Sequence, residues 1–174
     1  MKTTHIPQRR PAIARRDRRI AGHAQQDQIL DPYQGKKKLH EGTVCPQCGA
    51  VYHDARWQWL AKGEGAVEEL CAACRRINDK FPAGILTLHG AVAGEHKQEM
   101  LRLARDQEEV EKKEHPLNRI MSIEEDAESI TINTTDIHLP RRIGEMVKRA
   151  FHGKLDAHFE EDGYFVRINW TSAA

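Results

Sequence analysis

The sequence lacks the features that mark several common classes of protein. It has no apolar run of roughly 18 residues, the length that a membrane-spanning helix needs. The basic start of the chain is not followed by an apolar stretch of about 7–15 residues, so we expect no secretory signal peptide and a cytoplasmic protein. Glycine-rich phosphate loops, Gly-x-Ser-x-Gly elbows and His-Glu-x-x-His motifs are also absent. The sequence therefore predicts a protein that is not an enzyme, with no evident small-molecule substrate.

Aromatic residues are scarce and polar residues are abundant. Aromatic side chains make up 6% of the 174 residues, charged side chains 30%, and the mean hydropathy is −0.70. A chain of this composition forms at most a modest apolar core, in one or two small domains.

Cysteine is limited to four residues, which form two Cys-x-x-Cys pairs. The first pair is Cys45 and Cys48, the second is Cys71 and Cys74, and 22 residues separate the pairs. Two such pairs at roughly this separation are typical of a zinc site with four thiolate ligands. Because protein side chains supply all four ligands, the sequence predicts a closed, structural Zn²⁺ site.

Three other interpretations of the cysteines stay open at this point. Two disulfides would need an oxidising compartment. A thioredoxin-type redox pair would use one Cys-x-x-Cys and leave the other unexplained. An iron–sulfur cluster would also take four thiolates. His53 lies near the first pair and is a further candidate ligand, although four cysteines suffice.

Charge is distributed unevenly along the chain. Residues 1–38 contain ten Lys or Arg and three Asp or Glu, which gives +7, whereas the whole chain has a formal charge of +1. This segment has too few large apolar residues to offset the entropy of ordering its backbone. We expect a disordered basic arm over 1–38, suited either to contact with nucleic acid or to solubility.

The middle of the chain is predicted to hold a zinc-ribbon domain over 39–93 and a helical connector over 94–127. Trp57 and Trp59 alternate as on a strand, and we expect at least one of them to pack over the metal site. An apolar run at 85–88 predicts a short strand. Residues 95–114 favour a helix. Its expected apolar stripe consists of Met100, Leu103, Gln107 and Val110.

Residues 128–174 are predicted to form a β-α-β-β domain. Strands are expected near 130–133, 155–159 and 164–170, with a turn at 162–163. A helix is expected from about residue 139, capped by Asp136, with Pro140 in its first turn. The fold class is therefore α+β: a four-cysteine zinc ribbon, a connecting helix and a small β-α-β-β domain.

Several motifs together resemble a family of small, largely uncharacterised bacterial zinc-ribbon proteins over residues 44–170. Besides the cysteine pairs, these motifs are His115-Pro116-Leu117, Arg119-Ile120-Met121, Thr134-Thr135-Asp136 and Arg141-Arg142-Ile143-Gly144. More distantly, the layout is similar to the N-terminal part of the archaeal and eukaryotic adaptor proteins of the large ribosomal subunit, which carry more cysteines. That resemblance implies binding to ribosomal RNA or to a ribosomal surface.

The leading functional hypothesis is a zinc-binding, RNA- or ribosome-associated protein. Basic residues of the arm, of the second cysteine pair and of the predicted C-terminal helix are the candidate contacts with nucleic acid. They are Arg9, Arg10, Arg15, Arg16, Arg18, Arg19, Arg75, Arg76, Arg141, Arg142, Lys148 and Arg149. The alternatives are a zinc-ribbon DNA-binding regulator and a protein–protein interaction module. No membrane partner is expected.

Overall fold

The computed structural model describes residues 31–34, 38–160 and 163–172. Within these ranges the chain is a mixed α+β protein, as the sequence predicts, and it has four helices and two sheets. Most of the expected basic arm lies outside the described residues, including the six arginines from Arg9 to Arg19. None of the described helices combines the length and the apolar character needed to cross a bilayer.

The four cysteines lie in a small unit that we call the cysteine body (residues 39–81). It contains a two-stranded antiparallel hairpin, β1 (Val51–His53) and β2 (Arg56–Gln58), followed by helix α1 (Ala72–Asp79). Val44 makes isolated bridges to Val51 and to Glu68, which bring the segments just before the two cysteine pairs together.

The rest of the described chain forms a five-stranded mixed sheet with helices on one face, which we call the sheet body (residues 83–172). The strands are β3 (Gly84–His89), β4 (Ile120–Glu125), β5 (Ser129–Thr134), β6 (Lys154–Phe159) and β7 (Val166–Thr171). Their order is β4-β5-β3-β7-β6, in which β3 and β7 are parallel and the other pairs are antiparallel.

Three helices accompany this sheet: α2 (Ala91–Glu95), α3 (Lys97–Glu114) and α4 (Leu139–Phe151). Alternate residues of the central strands, such as Leu86, Ile132 and Ile168, are fully buried with Met100 of α3 and Ile143 of α4. This alternation gives the sheet one face against the helices and one face toward solvent.

The predicted boundaries of the middle segments differ from the observed sheet. Residues 84–89, expected to end the zinc-ribbon domain, instead form the central strand of the sheet body and pair with both β5 and β7. Residues 120–125, expected within the helical connector, form the edge strand β4. The predicted order of strand, helix, strand and strand over 128–174 is present, but β5 is joined to β7 only through β3.

The buried face of α3 also differs from the predicted stripe. Met100 is buried as expected, but Leu101, Ala104 and Glu111 share its face, whereas Val110 is 58% exposed. Both stripes fit a helical period, and packing against α4 decides between them. Helix α4 begins as predicted, because the Asp136 carboxylate accepts hydrogen bonds from the amides of His138 (2.7 Å) and Leu139 (3.0 Å).

Candidate metal centre

The first cysteine pair is held by a tight turn. The amide of Gly49 donates to the carbonyl of Cys45 (2.8 Å), and the amide of Cys45 donates to the carbonyl of Ala50 (2.8 Å). Gly49 has a φ of 79°, a left-handed conformation that glycine adopts without strain. This turn places Cys45 and Cys48 on the same side of the loop, as the Pro46 and Gly49 positions predict.

The second pair lies at the start of α1. Cys71 is the N-cap residue, and its sulfur accepts a hydrogen bond from the amide of Cys74 at 3.4 Å. The amide of Cys71 in turn donates to the sulfur of Cys45 at 3.4 Å, which links the two pairs. The positive end of a helix dipole favours negative charge on sulfur at this position.

The four sulfur atoms form a compact group that fits a single metal ion. All of them lie within 4.8 Å of one another, and the Cys48 and Cys71 sulfurs are 3.8 Å apart. Four thiolates in a tetrahedron with metal–sulfur bonds of ~2.3 Å would be separated by ~3.8 Å. A disulfide would need ~2.05 Å, and all four cysteines are free. The chemistry and spacing of the donors therefore suit a metal ion better than two disulfides.

Among the described residues, no histidine belongs to this group. The Nδ1 atom of His53 lies 3.1 Å from a carboxylate oxygen of Glu41, and both side chains are more than half exposed. With Asp54 they form a second acidic group at the surface, separate from the cysteines.

The sulfur atoms perturb one another strongly as thiols. A hydrogen bond shared with Cys71 lowers the pKa of Cys48 to about 4, and hydrogen bonding from Arg119 acts in the same direction. The same sulfur–sulfur hydrogen bond raises the pKa of Cys71. Burial raises the pKa of Cys74 to about 11. The cluster thus stabilises thiolate charge at Cys48, and a metal ion would take the place of the protons at its neighbours.

Arg119 reaches the cluster from the sheet body. Its Nη2 atom lies 3.1 Å from the sulfur of Cys48 and 3.7 Å from that of Cys71, and its Nη1 atom lies 3.4 Å from that of Cys74. Burial disfavours the charged guanidinium, but the hydrogen bonds to Cys48 and Cys74 raise the pKa of Arg119 overall. Arg119 is thus a buried cation in contact with three of the four candidate ligands.

Apolar side chains shield the cluster from water. Trp57, Leu70 and Leu117 pack against it, and the cysteines other than Cys48 are at most 1% exposed. Trp57 fulfils the expectation that one tryptophan packs over the site. Trp59 is 40% exposed, and its indole N–H donates to the carbonyl of Lys112.

Three of the predicted nucleic-acid residues within the described ranges form ion pairs at the surface of the protein. Arg75 forms an ion pair with Glu69 (2.7 Å), Arg141 with Glu145 (3.1 Å), and Arg142 with the buried Glu111. Lys148 and Arg149 are exposed near the C-terminal end of α4.

Arg76, unlike the other predicted nucleic-acid residues in the described ranges, is buried. It is 1% exposed, and its guanidinium binds Asp31 at 2.5 Å, so its side chain is not available to a phosphate. The expectation that Arg76 contacts nucleic acid is therefore corrected: it anchors residues of the chain itself.

Sequence analysis did not identify Arg119, Asp31 or Tyr33 as functional residues. Arg119 lies within a motif that supports the family resemblance, but nothing local connects it with cysteines at least 45 residues away. Asp31 and Tyr33 lie within the expected disordered arm, yet both contact Arg76. The sequence did contain one signal for this anchor: Asp31 and Tyr33, an acidic and an aromatic residue, lie close together at the end of a basic segment.

A groove of about 1010 Å³ runs along the junction between the two bodies, beside the cysteine cluster. Its aromatic residues are Tyr33, Tyr52, Trp57, Trp59 and Tyr164. Its basic residues are Arg56, Arg75, Lys113 and Arg142, and its carboxylates are Glu69 and Glu114. The lining therefore contains several aromatic rings and carries more positive than negative charge.

The comparisons with known proteins found no match to this chain. No protein-family model, no curated protein and no solved structure matches this chain. The resemblance to bacterial zinc-ribbon proteins and to ribosomal adaptor proteins accordingly stays a prediction.

Proposed function

We propose that this is a zinc-binding protein that associates with RNA or with a ribosomal particle and has no catalytic activity of its own. The zinc part of the proposal is supported by four closely spaced, shielded cysteine sulfurs. Zinc is the usual metal for four cysteine ligands, and a site with four protein ligands leaves no position for a substrate.

The groove between the two bodies carries the RNA part of the proposal. Unpaired bases stack on aromatic rings, and arginine and lysine side chains attract the phosphates between them. Tyr52 and Trp57 of the cysteine body and Tyr164 and Arg142 of the sheet body all line this groove. A duplex offers no unstacked base to such rings, so single-stranded RNA is the favoured partner.

The N-terminal segment joins the described chain beside this groove. Tyr33 and Gln34 line the groove, and residues 1–30 are joined to the chain immediately before this segment. The segment that contains six arginines is therefore attached to the described chain beside the proposed RNA site.

Fluorescence anisotropy with a labelled single-stranded RNA, over about 50 to about 200 mM salt, tests the RNA proposal directly. The groove variant is Arg56→Gln with Lys113→Gln. We expect weaker binding of this variant, and a salt dependence reduced by about 0.7 in the log–log slope for each lost phosphate contact.

The matched control is Lys148→Gln with Arg149→Gln, which removes the same charge from α4 outside the groove lining. Equal losses in both variants would favour a diffuse electrostatic contact over the groove. If neither variant changes binding, or if duplex DNA binds more tightly than RNA, the proposal fails and a DNA-binding regulator becomes the better interpretation.

Sedimentation of the tagged protein from a lysate identifies the particle. We expect it to migrate with a ribosomal subunit at low salt and to be released at high salt. Migration at the top of the gradient under both conditions would contradict stable association with the ribosome.

A further inference from the structure

A metal ion held by the four cysteines would form a buried group with a net negative charge. A divalent ion with four thiolates carries a formal charge of −2, and Cys45, Cys71 and Cys74 are almost completely buried. Burying uncompensated charge is costly unless a partner of opposite sign or several hydrogen bonds accompany it. The surroundings of the sulfurs therefore determine how tightly the metal is held.

Within the described part of the chain, Arg119 is the charged side chain that contacts these sulfurs. It is 8% exposed, and its two terminal nitrogens lie between 3.1 and 3.7 Å from three sulfur atoms. Apart from the hydrogen bond that the Cys48 and Cys71 sulfurs share, the other hydrogen bonds to the sulfurs among the described residues come from main-chain amides of the cysteine body, such as those of Cys71 and Cys74. One positive charge in this position offsets half of the formal charge of the metal group.

The sheet body holds Arg119 in place independently of the sulfurs. Its amide donates to the Thr135 hydroxyl (2.9 Å), and its carbonyl accepts from the Thr135 amide (3.0 Å). Its Nε atom donates to the carbonyl of Pro116 at 2.6 Å. The guanidinium is therefore presented to the cysteines with its direction fixed by the start of β4 and the end of β5.

The short segment that contains Arg119 also supplies an apolar contact between the two bodies. Leu117 packs against the cysteine cluster, and its carbonyl accepts a hydrogen bond from the Thr135 hydroxyl at 2.5 Å. Leu117 and Arg119 thus place one apolar and one charged side chain of the sheet body on the metal group.

We infer that Arg119 is the buried counter-ion of the metal tetrathiolate, and that metal binding and packing of the two bodies are coupled through it. Bound metal keeps negative charge on the sulfurs and so strengthens their contact with Arg119. Arg119, presented by the sheet body, in turn raises the affinity of the cysteines for metal. This inference rests on the zinc part of the proposed function and is independent of RNA binding.

Zinc affinity of the full chain, measured by competition with a chromophoric chelator, tests this inference. Arg119→Met removes the charge and keeps much of the side-chain length. We expect it to weaken zinc binding about 10- to 100-fold, the usual effect of losing a residue that supports metal ligands. Arg119→Lys, which keeps the charge without the planar fork, should fall between this variant and the wild type.

The matched control is Arg102→Met on α3, whose side chain is 84% exposed in a surface ion pair. It should bind zinc as the wild type does. If Arg119→Met also binds zinc with unchanged affinity, the inference is overturned while the zinc site stands. If the wild-type chain binds no zinc, both the zinc proposal and this inference fail.

Hydrogen exchange of the wild-type chain with and without zinc gives a second readout that needs no variant. We expect removal of zinc to reduce protection at Arg119 and Thr135, in the sheet body, as well as at the cysteine pairs. Loss of protection confined to the cysteine body would overturn the coupling.

Discussion

Arg76 lies between two tyrosines and is buried with a single carboxylate. Its guanidinium carbon is 4.3 Å from the ring centre of Tyr33 and 5.7 Å from that of Tyr164, and its Nη2 atom binds Asp31. Its Nε atom is buried without a hydrogen-bond partner among the described residues. The charge of Arg76 therefore depends on Asp31 for compensation.

Asp31→Asn should destabilise the protein substantially. The substitution leaves Arg76 buried and uncompensated, a change that costs about 3–5 kcal/mol in buried ion pairs. Urea unfolding followed by tryptophan fluorescence measures the change in the free energy of unfolding.

Asp106→Asn is the control for this substitution, because it breaks an exposed ion pair with Arg102 and should cost at most about 1 kcal/mol. Equal stability of the two variants would contradict the role assigned to Asp31. The double variant Asp31→Asn with Arg76→Met should recover part of the loss, because it removes both charges.

We expect Asp136 to give the free energy of unfolding an unusual dependence on pH. Burial raises its pKa above the ordinary 3.8, although amide hydrogen bonds from Leu139 and His138 act in the opposite direction. One of its oxygens, Oδ1, is buried without a partner among the described residues and is suited to carry a proton. The native state therefore binds this proton more tightly than the unfolded state does.

The stability contributed by Asp136 should accordingly fall as pH rises above about 4, because the unfolded state then releases the proton that the native state still holds. Asp136→Asn keeps an oxygen for the helix amides but does not titrate. We expect the free energy of unfolding of the wild type, minus that of the variant, to decrease between about pH 4 and pH 7. An increase over this range would show that the carboxylate is favoured in the native state.

At the level of secondary-structure elements, residues 31–34 form a short segment that contacts helix α1 and the residues after it. Asp31 is 7% exposed, the Tyr33 hydroxyl donates to Asp79 at 3.0 Å, and the Tyr33 ring stacks on Phe81 with centres 6.2 Å apart. These contacts fasten the segment to the C-terminal end of α1.

Two truncations should therefore differ sharply. Deletion of residues 1–30 keeps Asp31 and Tyr33, and we expect its melting temperature to match that of the full chain. Deletion of residues 1–38 removes both contacts with Arg76 and should lower the melting temperature markedly, for the reason given for Asp31→Asn. Similar melting temperatures for both truncations would contradict the anchor.

Elements with strong local signals could be predicted from the sequence, and their partners could not. The paired cysteines, the helix that begins after Asp136 and the alternating strand 154–159 follow from spacing, capping and period. The apolar run at 85–88 also predicts a strand, but its position between β5 and β7 depends on contacts distant in sequence. The buried Glu111 likewise depends on Arg142, which a helical stripe cannot reveal.

At the scale of the whole molecule, the candidate metal centre lies where the two bodies meet. Leu117 and Arg119 of the sheet body contact the cysteines, and the groove proposed to bind RNA runs beside this junction. A ligand that binds only the native state stabilises the whole protein by mass action.

Removal of metal should therefore lower the melting temperature of the full chain. Zinc at 1,000 times its dissociation constant contributes about 4 kcal/mol to the free energy of unfolding. Differential scanning calorimetry before and after treatment with a chelator measures this change. Cys74→Ser, which lacks one ligand, should respond little to the chelator, and an equal response in both proteins would point to an effect unrelated to the cysteines.

We propose that Cys45, Cys48, Cys71 and Cys74 together hold one zinc ion. Native mass spectrometry of the purified full chain, combined with elemental analysis, tests it most directly. We predict one zinc ion per wild-type chain and no stoichiometric zinc in Cys74→Ser. A metal-free chain with free thiols, a chain with two disulfides, or a chain containing iron and sulfide would each contradict this claim.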